Sequence, residues 1–202
     1  MPWFRRLADI RGVGYSGSPG VQRDKLPGYN LKPEVKHYDV GGRRIESLWW
    51  ENQGQSSSAS PAVTWAQQPL PEPATPEAVR QRLYEALELP GEASNYHFAI
   101  QNCHEALWRY RYEHPWVVPE IERLCWLDIR LLEVDPKILQ FEGQAGKVSY
   151  ARSLAFERLI RLYERNGYLA EALDVAQRAV RFHAEESITQ PIRERLARLE
   201  EE

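Results

Sequence analysis

The sequence predicts a mainly α protein: a stack of antiparallel helix pairs preceded by an irregular N-terminal arm that carries one β-hairpin. Three observations carry that expectation. Residues 1–73 hold eight of the twelve glycines and eight of the fourteen prolines, so the chain changes character near residue 73. Beyond it, apolar residues recur at helical spacing between helix-start and helix-stop signals. Within that region two apolar stripes flank Asn166-Gly167, a pair that lets one helix end in a left-handed turn and the next fold back on it.

A chain of 202 residues suits one domain with an arm, and 26 basic against 29 acidic residues leave a net charge of −3. That balance argues against a general binder of nucleic acid or acidic membrane. No apolar run approaches the ~20 residues of a membrane helix, and Arg5-Arg6 is followed by Asp9 and Arg11 instead of an apolar signal core. Cys103 and Cys125 are too few for a disulfide framework. The expected setting is cytoplasmic, with no membrane association.

In the arm (1–73), Val35–Val40 and Arg43–Trp50 are β-prone runs separated by Gly41-Gly42, the signature of a tight hairpin. Residues 53–73, rich in Gln, Ser and Pro, have too little apolar surface to offset the entropy of ordering them and read as a linker. In the helical part (74–202), Thr75-Pro76-Glu77 offers a cap, a first-position proline and a first-turn acid, and Pro90-Gly91 closes that helix. A second helix is expected from Ser94 to about Glu113. A third opens at Pro119 and stops at Asp135-Pro136, with Asp128 the polar exception on its apolar face. The pair Tyr150–Asn166 and Tyr168–Glu185 follows, its first stripe made of Phe156, Leu159, Ile160 and Tyr163. The second stripe runs through Leu169, Ala172, Leu173, Ala176, Ala179 and Val180, and its alanines allow close approach. A last helix, Thr189–Leu199, would cap the stack with Ile192, Leu196 and Leu199.

Phe156, Leu159, Tyr163, Gly167, Ala172 and Ala179 occupy the aromatic, Leu, Tyr, Gly and two Ala positions of a tetratricopeptide repeat, which this segment resembles. It departs from the pattern at Ile160, Ala176 and Ala184, where the family has a small residue, a large aromatic and a proline. Leu131–Pro136 resembles the end of a second, degenerate repeat. The same stretch with its last helix also resembles the helical domain of bacterial transcriptional activators. Either resemblance implies helix-pair stacking and a binding surface, and neither fixes a ligand.

Chemistry-bearing motifs are sparse. Gly12-Val-Gly14-Tyr-Ser-Gly17 matches the letters of a dinucleotide-binding fingerprint, but Ser18-Pro19-Gly20 follows where a helix is needed, so no cofactor is expected. His97, Cys103, His104, His114 and Cys125 cluster in sequence. Yet His97 and His104 would sit roughly 10 Å apart along a helix, so no metal site is expected and the cysteines read as core residues. There is no phosphate-loop lysine, nucleophile elbow or paired-His zinc motif, and no catalytic residue is assigned. Glu120/Glu122 and Glu185/Glu186 read as helix-surface charges.

Aromatic residues are the informative excess. Trp108, Tyr110, Tyr112, Trp116 and Trp126 are interleaved with Arg109, Arg111 and Arg123, a mixture typical of interface anchors. Trp49 and Trp50 lie on a hairpin too small to bury them. Arg161 and Arg165, four apart on one helix, could hold a carboxylate or acidic peptide, or could merely be served by Glu157 one turn before Arg161. The expected partner-binding residues are therefore Trp49, Trp50, Arg109, Trp116, Arg161 and Arg165. The expected role is a non-catalytic protein-binding adaptor or assembly subunit. The alternative is a transcription-regulator domain touching nucleic acid through Arg5/Arg6 and Arg43/Arg44 of the arm.

Overall fold

A computed structural model describes residues 4–142, 148–182 and 186–200. Strands β1 (Glu34–Val40), β2 (Arg43–Asn52) and β3 (Gln55–Ser57) form an antiparallel sheet in the order β1-β2-β3. Helices α1 (Pro61–Ala66), α2 (Pro76–Leu87), α3 (Ala93–Leu107), α4 (Val117–Val134), α5 (Leu154–Arg165), α6 (Leu169–Val180) and α7 (Gln190–Glu200) follow. Each helix packs on the next in sequence, so the protein is mainly helical with adjacent helices stacked in chain order. A two-stranded ribbon of β4 (Gln140–Glu142) and β5 (Val148–Tyr150) sits between α4 and α5.

The expected hairpin is present. Gly41 and Gly42 both have positive φ, 59° and 77°, as a two-residue turn matching the twist of its strands requires. Val40 pairs with Arg43 and Glu34 with Trp49. The supposed linker is more ordered than its composition suggests. Gln53 and Gly54 make a second tight turn into β3, and Ser60 caps α1 by accepting a hydrogen bond from the Val63 amide, with Pro61 in the first helical position. Only the stretch between α1 and α2 stays irregular.

The compositional break at residue 73 is not a structural boundary, because Leu7, Val13 and Ala62 of the arm belong to the same buried cluster as the helices. Arg5 exchanges backbone hydrogen bonds with Gly91, and the Tyr96 hydroxyl donates to the carbonyls of Arg5 and Leu89. Glu88, 5% exposed, accepts from the Tyr15 hydroxyl and the Ser18 amide and pairs with Arg23. Burial and this carboxylate hold the Tyr15 phenol well above the ordinary tyrosine range. The glycine-rich motif is therefore irregular backbone whose Tyr15 hydroxyl, with the Ser18 amide just after it, meets a carboxylate of its own chain.

Helix ends differ from expectation for identifiable reasons. Thr75 caps α2 through the Ala78 amide as predicted. The second helix starts at Ala93, where Glu92 and Asn95 form a reciprocal capping box, and stops at Leu107 instead of Glu113. Its last turn tightens into a 3-10 segment, Trp108–Tyr110, and Arg111 satisfies the Trp108 carbonyl at 2.6 Å. Helix α4 begins at Val117, and Pro119 fits inside its first turn, where no amide needs a helical acceptor. Helix α5 begins at Leu154, not Tyr150, because residues 148–150 pair with β4.

At the end of α5 Gly167 has φ 81°, the Tyr168 amide reaches the Tyr163 carbonyl and the Gly167 amide the Glu164 carbonyl. This double closure reverses the chain into α6. Phe156, Leu159 and Ile160 face Leu169, Ala172, Ala176 and Ala179 in the core, joined by Leu162 and Val175, which the single-stripe reading omits.

Two predictions follow from this packing. Ala172, fully buried between α5 and its neighbours, leaves no room for an indole, so Ala172→Trp should cost about 1–3 kcal/mol or more. A melting temperature equal to the parent's would contradict the close crossing. Glu88→Ala should strip the arm of its acceptor, at about 1–3 kcal/mol for buried donors left unpaired. Amide exchange at Ser18 should rise well before the helices open, and unchanged protection there would show that the clasp contributes nothing.

Candidate anion-binding face

The residues expected to bind a partner scatter over the molecule. Trp50 is only 4% exposed: its indole N–H donates to the Ala59 carbonyl and its ring lies against Gly28. It is a core residue of the arm, because the turn through Gln53-Gly54 and the Ser60 cap fold the following chain over it. Trp49, on the opposite sheet face, is half-buried, with Tyr38 6.2 Å away and the Lys36 ammonium 4.5 Å above its ring. Trp116, at the start of α4, is half-buried beneath the Arg80 guanidinium at 4.2 Å. Arg109 is exposed on the 3-10 turn after α3. Arg161 and Arg165 are exposed on α5 and do share a site, lining a shallow depression with Glu164 and Arg195.

Around that pair the fold gathers more positive charge than the sequence reading assigned. Arg158 shares the α5 face with Arg161 and Arg165, at positions i, i+3 and i+7. The Arg111 and Arg158 guanidiniums both lie over the Trp108 ring, 4.5 and 4.2 Å from its centroid, and Arg111 also covers Tyr112 at 4.1 Å. Tyr112 is 78% exposed. A hydrogen bond from Arg111, that residue's charge and the nearby Arg165 lower its phenol below the ordinary range. Partial burial, together with the like charges of Arg161 and Arg111, lowers the Arg158 guanidinium, while Glu105 acts in the opposite sense.

The two acids of α5 are engaged by other arginines. Glu157 binds Arg152, not Arg161, and Glu164 binds Arg195 of α7 at 2.8 Å. Among the described residues, Arg111, Arg158, Arg161 and Arg165 have no ion pair with a carboxylate. The helical support for Arg161 from Glu157 is thus absent. The i, i+3, i+7 spacing of the three arginines is visible in the sequence. The convergence of Arg158 with Arg111 on the Trp108 indole is not, because it depends on how the end of α3 meets α5.

Other ionisable groups serve the interior. Glu120, expected on the surface, is 8% exposed and accepts from the Tyr84 hydroxyl at 3.0 Å and from Arg123 at 2.7 and 3.1 Å. Glu122 is half-buried and accepts from the Tyr163 hydroxyl at 2.6 Å, which itself accepts from the Trp126 indole. Burial, then Glu122, pushes that phenol up to about 12. Glu185 lies outside the described residues, as does the side chain of Glu186. Asp128, the polar exception on α4, is fully buried 2.7 Å from His97 Nδ1, and burial raises its carboxyl above the usual range against the opposing pull of that hydrogen bond.

Both thiols are buried and raised by desolvation, which leaves them protonated and unreactive. No group of three or more His, Cys, Asp or Glu among the described residues is disposed to hold a metal ion. No helix among them is long and apolar enough to cross a membrane.

His104 is fully buried with neither ring nitrogen hydrogen-bonded, and burial, followed by the charge of Arg158, pushes it down to about 3 from 6.5. Between those values the unfolded chain binds a proton that the folded one refuses. Stability therefore falls as pH drops from about 6.5 toward about 3, by about 1.4 kcal/mol per unit. His104→Leu should stabilise the protein by about 2 kcal/mol more at pH ~5 than at pH ~8, measured by urea unfolding. An equal gain at both pH values would contradict a neutral buried imidazole.

Comparison of the chain with protein-family models, curated proteins and solved structures finds no match in any of the three.

Proposed function

We propose that the protein is a non-catalytic adaptor or assembly subunit that holds an acidic segment of a protein partner against the α5 arginine face. One observation carries the reading: Arg111 and Arg158 meet over Trp108, with Arg161 and Arg165 next to them on the α5 face, none of the four ion-paired to a carboxylate, while the adjacent Glu157 and Glu164 are engaged by other arginines. Clustered guanidiniums on aromatic platforms offer planar, forked donors of the kind that recognise carboxylates and phosphates. The α5–α6 pair, with its Gly167 reversal and alanine seam, supports treating this part as a tetratricopeptide-type repeat, whose helix pairs usually present binding surfaces. Buried free thiols suit a reducing, cytoplasmic setting. The basic residues of the arm favour the nucleic-acid alternative less, since Arg6 is already stacked on Tyr29 at 4.3 Å.

Charge reversal tests this directly. With a fluorescein-labelled peptide rich in Glu and Asp as probe, Arg161→Glu with Arg165→Glu should weaken binding by on the order of tenfold or more in moderate salt, because two attractive charges become repulsive. Far-UV circular dichroism should not change, since both side chains are exposed. An affinity within about twofold of the parent would overturn the proposal.

A further inference from the structure

We infer that the arginine face takes a phosphorylated segment of a protein partner, with the phosphomonoester seated among Arg111, Arg158 and Arg161 beside Trp108. The inference rests on the reading that this face binds an anionic segment, and it specifies the charge that segment carries.

The charge balance of the site favours a dianion. Arg111 and Arg158 share one indole, and Arg161 is close enough to Arg158 to act on its charge state. Glu105 is the nearby carboxylate that acts on Arg158, and it forms no ion pair with it. Arg165, one turn further along α5, reaches the Tyr112 phenol and adds a fourth positive group. A carboxylate would bring one negative charge and two acceptor oxygens. A phosphomonoester brings nearly two charges and three oxygens, which suits forked donors approaching from α5 and from the end of α3. Arg158 is half-buried behind Trp108, so the anion it meets is partly withdrawn from water, where the second charge counts for more.

The form of the site favours a chain over a free metabolite. Arg161 also lines, with Glu164, Arg165 and Arg195, an adjoining open depression and not an enclosed pocket, so a bound polypeptide can continue past the phosphate along α5. Tyr112 stands exposed beside it, available to a flanking side chain. Closed, mostly apolar cavities are the usual hosts of small molecules, and this face is neither.

Capped pentapeptides with a central phosphoserine, glutamate or serine, together with inorganic phosphate, provide the probes. Each is titrated into the full chain while the indole N–H resonance of Trp108, assigned with Trp108→Phe, is followed by NMR. The phosphoserine peptide should bind at least about tenfold more tightly than the glutamate peptide, the serine peptide should not bind, and inorganic phosphate should bind more weakly than the phosphopeptide. Arg161→Gln, exposed and harmless to the fold, should reduce phosphopeptide affinity by about fivefold or more. Arg158→Gln should do the same, provided its melting curve matches the parent's.

Equal affinity for the phosphoserine and glutamate peptides would overturn this inference while leaving the acidic-partner reading intact. Inorganic phosphate binding as tightly as the phosphopeptide would overturn it in favour of a free-anion site. No response to any probe would overturn it together with the reading on which it rests. An unchanged phosphopeptide affinity in Arg161→Gln would place the phosphate elsewhere and also overturn it.

Discussion

A stack of helices in which each element packs on the next has two ends, and each end exposes an apolar face that must be covered. That constraint accounts for much of this molecule. At the C-terminal end α7 covers α6 through Ile192 and the half-buried Leu196, while Leu199, expected to help cap the stack, stays exposed among polar and charged residues. The other end is covered by the chain's own arm. Leu7, Val13 and Ala62 join the buried core of the helices, and Glu88 and Tyr96 fasten the covering segment by hydrogen bonds to Tyr15, Ser18 and Arg5. Removing residues 1–73 would therefore uncover a core rather than release a tail.

The same logic explains which features were legible in the sequence. The mainly helical class, the α5–α6 reversal, the Thr75 cap and the Gly41-Gly42 hairpin rest on local rules of periodicity, capping and turn chemistry, and all are present. Where the reading departs, a non-local partner decides. Gln53 in a left-handed turn carries no glycine cue, so β3 was unforeseen. Tyr150 reads as helical because the partner that turns it into a strand lies in the ribbon before it. Glu120 reads as a surface acid until Tyr84 and Arg123, from two different helices, give it a buried setting. Trp50 reads as an exposed anchor until residues further along the chain close over it.

The candidate site divides in the same way. Arg161 and Arg165 could be singled out from spacing alone, and Arg158 follows the same spacing. Arg111 and its stacking on Trp108 required the early stop of α3, which turns the chain so that its last aromatic residues meet α5. Trp116, on the other hand, finds its cation in Arg80 of α2 and belongs to a separate stapled region with Tyr84 and Glu120. Sequence proximity of aromatic and basic residues thus predicted the composition of a surface but not its membership.

The clasp of the arm has a consequence for the order of events during synthesis. Tyr15 and Ser18 meet Glu88 across separations of 73 and 70 residues, and Arg5 meets Tyr96 across 91, whereas the helices contact their immediate successors. Emerging from the ribosome before the helices, the arm finds no surface to bind until α2 and α3 have followed it out. The sheet can close on its own local turns in the meantime, while Leu7 and Val13 remain in water. Helix docking, which needs only short loops to close, proceeds without waiting. The arm is then made before the helices it closes on and finds its place after them.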